Sequence, residues 1–202
     1  MAATKAYIDL LRHGDIGNAE RYCGSSDHAL TEAGWQQMWR RVERAPRRWQ
    51  HIITSPLIRC AHFAQALAER CAIPLTQDAR IQEIHFGEWE GRTAAELMRI
   101  DADALARFWQ NPLENPPPQA EHLLDFKVRV LAAWQDIQAQ FAGQNILLIT
   151  HGGVMRLLLC HIRQQPLERL LEFDVPYAAM HAVEAKWHEN GCQLTLKSDN
   201  SA

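Results

Sequence analysis

The chain is short of the features that mark secreted, membrane-spanning or nucleic-acid-binding proteins. It has five cysteines in 202 residues. They stand at positions 23, 60, 71, 160 and 192 without a CxxC pair, which excludes a zinc knuckle, and their odd number excludes a full disulfide framework. They read as reduced packing residues. No stretch approaches the roughly 18 consecutive apolar residues of a membrane span, and Met1-Ala2-Ala3-Thr4-Lys5 lacks a signal-peptide pattern. A cytoplasmic protein with no membrane partner is expected. A formal charge of -3 and a pI near 6.4 leave out the basic face that nucleic acid demands. Ten histidines invite a metal, but no HxH or HExxH spacing occurs among them, so no metal is expected.

What is present is an ordinary globular composition, 47% hydrophobic and 22% charged, enough to bury a full core. At this length one domain, residues 1–202, is expected. Ala6 to Leu11 reads as a buried strand, followed by a loop from Gly14 to Leu30. Thr31 is placed to cap a helix that runs to about Arg44. Trp49 to Thr54 reads as a second strand. Pro56 stands where the first turn of a helix tolerates proline, and the apolar spacing carries that helix to Arg70. The alternation is βαβα.

Pro74 to Ile84 predicts a third strand and its exit, and Thr93 to Trp109 a helix. The run Asn111-Pro112-Leu113-Glu114-Asn115-Pro116-Pro117-Pro118 cannot be helical, because successive prolines remove amide donors. Glu121 to Phe141 predicts an amphipathic helix ending near Gly143. A strand at 145–149 and a helix from Gly153 to about Ile162 follow. The tail alternates around 171–175, 179–187 and 192–196 as edge strands do, and such an edge offers a second copy a surface for a homodimer.

One local pattern occurs twice. Arg12-His13-Gly14 ends the run Tyr7-Ile8-Asp9-Leu10-Leu11, and Thr150-His151-Gly152 ends Asn145-Ile146-Leu147-Leu148-Ile149. Parallel sheets bind ligands beyond the carboxyl ends of their strands, so two histidines released there into glycine turns point to phosphoryl transfer through a histidine. That chemistry needs fixed cations around the phosphate oxygens. Arg12, Arg59 and His151 are the candidates, because a guanidinium pairs with phosphate through two parallel hydrogen bonds. His13 is the candidate nucleophile, since a neutral imidazole attacks phosphorus and splits one displacement into two. Gly14 lets the chain turn sharply, and its carbonyl, or a neighbour, holds the other ring nitrogen. The amides of His151-Gly152-Gly153, at a helix start, also face the anion. Glu83, in Ile81-Gln82-Glu83-Ile84-His85-Phe86-Gly87-Glu88-Trp89-Glu90-Gly91, is the candidate proton donor to the leaving alkoxide and base toward water afterwards. His62 and His85 read as surface or loop residues, and Glu88 and Glu90 as solvent-facing or salt-bridged.

Taken in order, Leu11-Arg12-His13-Gly14, Leu30-Thr31-Glu32-Ala33-Gly34, Ser55-Pro56-Leu57-Ile58-Arg59, Glu83 with Phe86-Gly87-Glu88-Trp89-Glu90-Gly91, and Thr150-His151-Gly152-Gly153 resemble the histidine phosphatase, or phosphoglycerate mutase-like, superfamily. The resemblance covers nearly the whole chain. It implies a three-layer α/β/α fold with a largely parallel central sheet. It also implies a phosphohistidine at His13, Arg12, Arg59 and His151 around the phosphate, Glu83 as proton donor, substrate contacts at Asn18, Gly24 and Gly152, a small phosphate ester as partner and no cofactor. Within the superfamily the chain looks most like the α-ribazole phosphatases of cobalamin biosynthesis, through Arg59-Cys60-Ala61-His62-Phe63-Ala64 and Gly152-Gly153-Val154-Met155-Arg156-Leu157-Leu158-Leu159. Trp89 or Trp109 offers a face on which a benzimidazole stacks. The chain departs from the family pattern at Asp15, where glutamate is usual, at Asn18, and at Gln119-Ala120-Glu121 in place of Gly-Gly-Glu. A broad-range, phosphosugar or phosphoserine phosphatase, a phosphoglycerate mutase and a non-catalytic phosphate sensor are the alternatives.

Overall fold

A computed structural model describes residues 4–17, 20–45, 48–188 and 191–197, so Asn18 lies outside the described residues. In chain order the elements are β1 (Thr4–Arg12), α1 (Glu32–Glu43), β2 (His51–Thr54), α2 (Ile58–Cys71), β3 (Leu75–Gln77), α3 (Ala94–Gln110), α4 (Leu123–Gln140), β4 (Ile146–Thr150), α5 (Gly152–Ile162), β5 (Met180–His188) and β6 (Gly191–Leu196). One six-stranded sheet runs β3-β2-β4-β1-β5-β6. The first three pairings are parallel and the two involving β5 are antiparallel. β4 lies at the centre, which explains its unbroken apolar sequence: every residue of Ile146–Thr150 is buried, as happens when helices cover both faces of a parallel sheet.

Side chains alternate between those faces. Ile8, Leu10, Ile53, Ile146 and Leu148 pack against Phe126, Val130 and Trp134 of α4 and Val154 and Leu158 of α5. Leu11, Ile52, Leu147 and Ile149 pack on the other face against Met38 of α1 and Phe63 and Leu67 of α2. The three-layer α/β/α expectation holds. A separate aromatic cluster of Trp89, Leu97, Leu105 and Phe108, with Tyr22 and Phe86 against it, seats α3.

The Thr31 cap is as read, and the structure adds one at Thr93. Thr31 Oγ1 accepts from the Gly34 N–H at 3.0 Å. Thr93 and Glu96 form a reciprocal capping box at the start of α3, which satisfies two amide donors with no helical partner. Three expectations change. Pro56 precedes α2 by two residues, because Leu57 is the extended cap. Residues 171–175 form no strand: Leu167–Glu172 is a 3₁₀ turn. β5 is not an edge either, since β1 and β6 flank it. The five cysteines are unpaired, but only Cys60 and Cys160 are buried; Cys71 is exposed, so packing explains two of them. Among the described residues no helix is long and apolar enough to cross a membrane.

Candidate active site

The register of the sheet decides what meets at its carboxyl edge. Arg12 pairs with Thr150 and Thr54 with Ile149, and the ladder runs one step further: the His13 N–H donates to Thr150 O and the Ser55 N–H to Ile149 O, both at 3.0 Å. His13, Ser55 and His151 therefore leave adjacent strands at one level. The two imidazole centroids are 5.3 Å apart, edge to face. The convergence that the repeated His-Gly pattern implies is present.

Gly14 meets the expectation for its carbonyl, which holds the His13 ring, and serves a further purpose. Its φ is not positive. Instead a Cβ there would sit 2.1 Å from the Gly34 carbonyl oxygen, and a Cβ on Gly34 would sit 2.1 Å from Asp15 O. Two backbones touch, and only glycine fits. Asp15 ties this contact down, accepting from Gly17 N–H and from Thr31 Oγ1, both at 3.0 Å. The His13 ring is held from the same turn, with Nδ1 2.8 Å from Gly14 O. A carbonyl only accepts, so Nδ1 carries the proton and Nε2 keeps its lone pair. Burial, with Arg59 and Arg12 nearby, holds the His13 pKa well below the usual imidazole range. It is neutral at physiological pH.

Arg59 is fully buried. It donates from Nη2 to Gly24 O at 2.5 Å, from Nη1 to Ser26 O at 2.7 Å and from Nε to His151 Nδ1 at 3.2 Å. A guanidinium has five N–H donors, so these bonds aim the fork and leave two donors uncommitted. His151 Nδ1 is therefore an acceptor, and its Nε2–H donates to Ser55 Oγ at 2.7 Å. Burial and the charges of Arg59 and Arg12 hold the His151 pKa well below the usual range. His151 is thus arranged here as a neutral imidazole between Arg59 and Ser55, beside the positive charges of the two arginines. Arg12 donates from Nη1 to Val175 O at 2.5 Å, while its buried Nε–H has no protein partner, an orphan donor suited to an anion's oxygen.

Glu83 lines a cavity of about 330 Å³ together with Arg12, Gly152, Gly153 and Arg156, whereas His13, Arg59 and His151 are buried and stand outside its lining. The Glu83 carboxylate accepts from the Gly153 N–H at 2.8 Å and from its own neighbour Ile84 N–H at 3.0 Å. The Gly153 amide is thus committed to Glu83 and not to an anion. A Cβ on Gly153 would lie 2.2 Å from Glu83 Oε1. Arg129 of α4 fixes the backbone beneath, donating to the carbonyls of Arg80, Gln82 and Glu83 at 2.8, 2.8 and 3.1 Å. It is itself gripped by Glu121 at 2.6 Å. Glu121, in the segment that departs from the family pattern, thus buttresses the backbone that carries Glu83.

Glu90 also departs from expectation. It is partly buried, and among the described residues it forms no salt bridge. It accepts from the N–H groups of Gly24, Ser25 and Phe86 at 3.1, 3.0 and 3.0 Å, and from Ser26 Oγ at 2.5 Å. Burial pushes its pKa up, but the amides of Phe86, Ser25 and Gly24 and the Ser26 hydroxyl outweigh burial, and the net shift is downward. Through Gly24 it supports Arg59. The rest of the cavity is walled by Tyr22, Phe86, Phe108, Trp109, Pro117 and Phe126, with Glu20, Arg21, His85 and Glu121 among them. Trp89 is 6% exposed in the α3 cluster and does not line it. Trp109, 54% exposed, does. His85 is exposed as expected, at the cavity wall, its Nδ1 accepting from Gly87 N–H. Among the described residues no group of three or more His, Cys, Asp or Glu is arranged to hold a metal.

Known proteins share this arrangement of chain. Adenosylcobalamin/alpha-ribazole phosphatase of Salmonella typhimurium is 29% identical over 183 residues, 87% of this chain and 88% of that protein. Phosphoglycerate mutase-like protein 4 of Arabidopsis thaliana is 33% identical over 173 residues, 83% of this chain and 74% of that protein. The solved structure of Bacillus stearothermophilus YhfR superposes with a TM-score of 0.85 at 30% identity, over 97% of this chain and 98% of that one. The family description "Histidine phosphatase superfamily (branch 1)" matches residues 8–200, and with strand-end histidines and buried arginines in the order already described, the chain belongs to that superfamily.

Proposed function

We propose that this chain is a metal-independent phosphomonoesterase, one domain over residues 1–202, that works through a phosphohistidine at His13. The observation that carries the reading is the buried pair of imidazoles 5.3 Å apart, one with a free Nε2 lone pair and the other bonded to a buried guanidinium. In the first step His13 Nε2 attacks phosphorus, a P–N bond forms, and the P–O bond to the alcohol breaks. Arg12 and Arg59 carry the charge on the non-bridging oxygens, with His151 beside them, and Glu83 gives the departing oxygen its proton. In the second step Glu83 takes a proton from water, the water oxygen bonds to phosphorus, and the P–N bond breaks to release inorganic phosphate.

The substrate we infer is α-ribazole 5′-phosphate. The cavity supports an ester whose alcohol is bulky, with a flat aromatic part and polar groups: its volume falls within the usual small-molecule range, and Trp109 and Phe108 stand at its wall beside Glu20, Arg21 and His85. A similar protein is named for that activity. Kinetics on α-ribazole 5′-phosphate, phosphoserine, phosphosugars and 3-phosphoglycerate test the assignment. The ribazole ester is expected to show the highest kcat/KM. A phosphoserine or phosphosugar that outpaces it overturns the substrate, and faster isomerisation of 3-phosphoglycerate with its bisphosphate overturns the hydrolase. Labelled substrate is expected to leave an acid-labile, base-stable phosphoenzyme that His13→Ala does not form.

A further inference from the structure

The segment Val175-Pro176-Tyr177-Ala178-Ala179, which leads into β5, folds back onto residues 12 and 13. The Arg12 N–H donates to Ala179 O at 2.9 Å and the Ala178 N–H to His13 O at 3.1 Å, and Ala179 N–H closes the turn on Pro176 O at 3.0 Å. Val175 O receives Arg12 Nη1, so both flanks of the turn hold the same arginine. Ala178 has φ of 55°, a left-handed conformation that a Cβ disfavours. Tertiary contacts hold the turn against that local preference, a pattern found where a site fixes its geometry.

Tyr177 stands at the crown. Its ring centroid is 4.2 Å from Arg12 Cζ, within the range of a cation–π contact. It is also 5.5 Å from the His13 ring centroid, with the planes 51° apart. One partly buried aromatic ring therefore touches both the proposed nucleophile and a proposed phosphate-binding cation. It belongs to none of the motifs that point to the site.

We infer that Tyr177 is a positioning residue of this active site, its ring bracing Arg12 against His13 and shielding the imidazole from water. The inference rests on His13 being the nucleophile. The groups that face His13 are Arg12 on its own strand, Arg59 from α2, His151 from the start of α5, and Tyr177. Desolvation is the largest cause of His13's lowered pKa, ahead of Arg59 and Arg12. Removing the ring admits water and moves the imidazole back toward its ordinary titration, which a purely structural role would not do.

The test follows the His13 imidazole by NMR through a pH titration of the unliganded protein, alongside steady-state kinetics, in wild type, Tyr177→Phe and Tyr177→Ala. In Tyr177→Ala the ring is expected to be half-protonated at a proton concentration roughly tenfold lower than in wild type. Its kcat is expected to fall roughly tenfold while KM moves less than about threefold, and Tyr177→Phe is expected to recover most of both. A folded Tyr177→Ala with unchanged titration and kcat overturns the inference. Equal loss in Tyr177→Phe overturns it too, because the hydroxyl and not the ring would then act. The titration needs no turnover, so the two readings fail separately: a wild type that forms no phosphoenzyme defeats the proposed function, whereas a phosphoenzyme with a titration indifferent to Tyr177 defeats this inference alone.

Discussion

At the carboxyl edge of the sheet, which Arg12 and Glu83 join to the cavity, the polar side chains are held by main chain: Arg59 by Gly24 O and Ser26 O, Arg12 by Val175 O, Glu83 by the amides of Gly153 and Ile84. At the other end the wall is Tyr22, Phe108, Trp109 and prolines, much of it carried by α3, a helix that breaks at Asp101 (φ -154°, ψ 87°). Asp101 Oδ1 accepts from the Ala104 N–H at 2.8 Å and so caps the second half of that helix. Reacting atoms tolerate little displacement, and backbone carbonyls and amides hold them with little freedom. An aromatic wall has only to supply area and shape. Changes at the first end are therefore expected to act on kcat, and changes at the second on KM.

The sharpest way to break that division is Glu83→Gln, which keeps the shape and removes the exchangeable proton. A fall in kcat of roughly 10²–10⁴ is expected for alkyl esters. For p-nitrophenyl phosphate, whose leaving group needs no proton, the first step seen in single turnover is expected to be far less affected. Gly153→Ala comes next. Its Cβ meets Glu83 Oε1, and since a displacement of about 1 Å costs on the order of 10²-fold, kcat is expected to drop by about that factor with the melting temperature little changed.

Glu90→Gln sharpens the comparison by weakening what supports Arg59 from behind. Hydrogen bonds to a charged acceptor are worth about 1.5–3 kcal/mol, so a loss of roughly 1–2 kcal/mol in unfolding free energy is expected near pH 7. The sign in acid follows from the downward shift. A carboxylate depressed in the folded state stabilises above its unfolded pKa of about 4.3 and loses that contribution as pH falls through the folded value. Denaturant titrations of wild type and variant are therefore expected to converge below about pH 4. The smallest effect is expected at the aromatic end. Trp109→Ala is expected to raise KM for the ribazole ester by about 3- to 10-fold and to leave kcat, and all constants for a small alkyl phosphate, nearly unchanged. A large fall in kcat there would erase the division.

Much of this was legible in the chain. His13 and His151 could be paired because each follows a strand of β-branched and leucine residues and precedes a glycine, so the parallel sheet had to release them at one edge. Arg59 was legible from its place just after Ser55-Pro56. The tail was less so: residues 171–175 alternate in polarity like a strand, yet they form none, and the first two of them end the 3₁₀ turn Leu167–Glu172, because period-two alternation does not record whether a partner strand is within reach. Glu90 looked like a surface charge, since nothing local announces that the loop at Gly24 would bring it amide donors. Trp89 and Trp109 are alike in sequence terms, and only packing put one in the α3 cluster and the other at the cavity.

The amino-acid sequence alone settled what depends on near neighbours: strand and helix periods, the cap at Thr31, the proline run that interrupts the helices, and the two strand-end histidines. Tertiary structure decided what depends on residues far apart in the chain: the neutrality of His151 between Arg59 and Ser55, the grip of Arg129 and Glu121 beneath Glu83, and the turn that lays Tyr177 over Arg12. The reason is physical. Backbone geometry and capping are set within a few residues, whereas desolvation and the proximity of charges exist only once the sheet has brought its strand ends together.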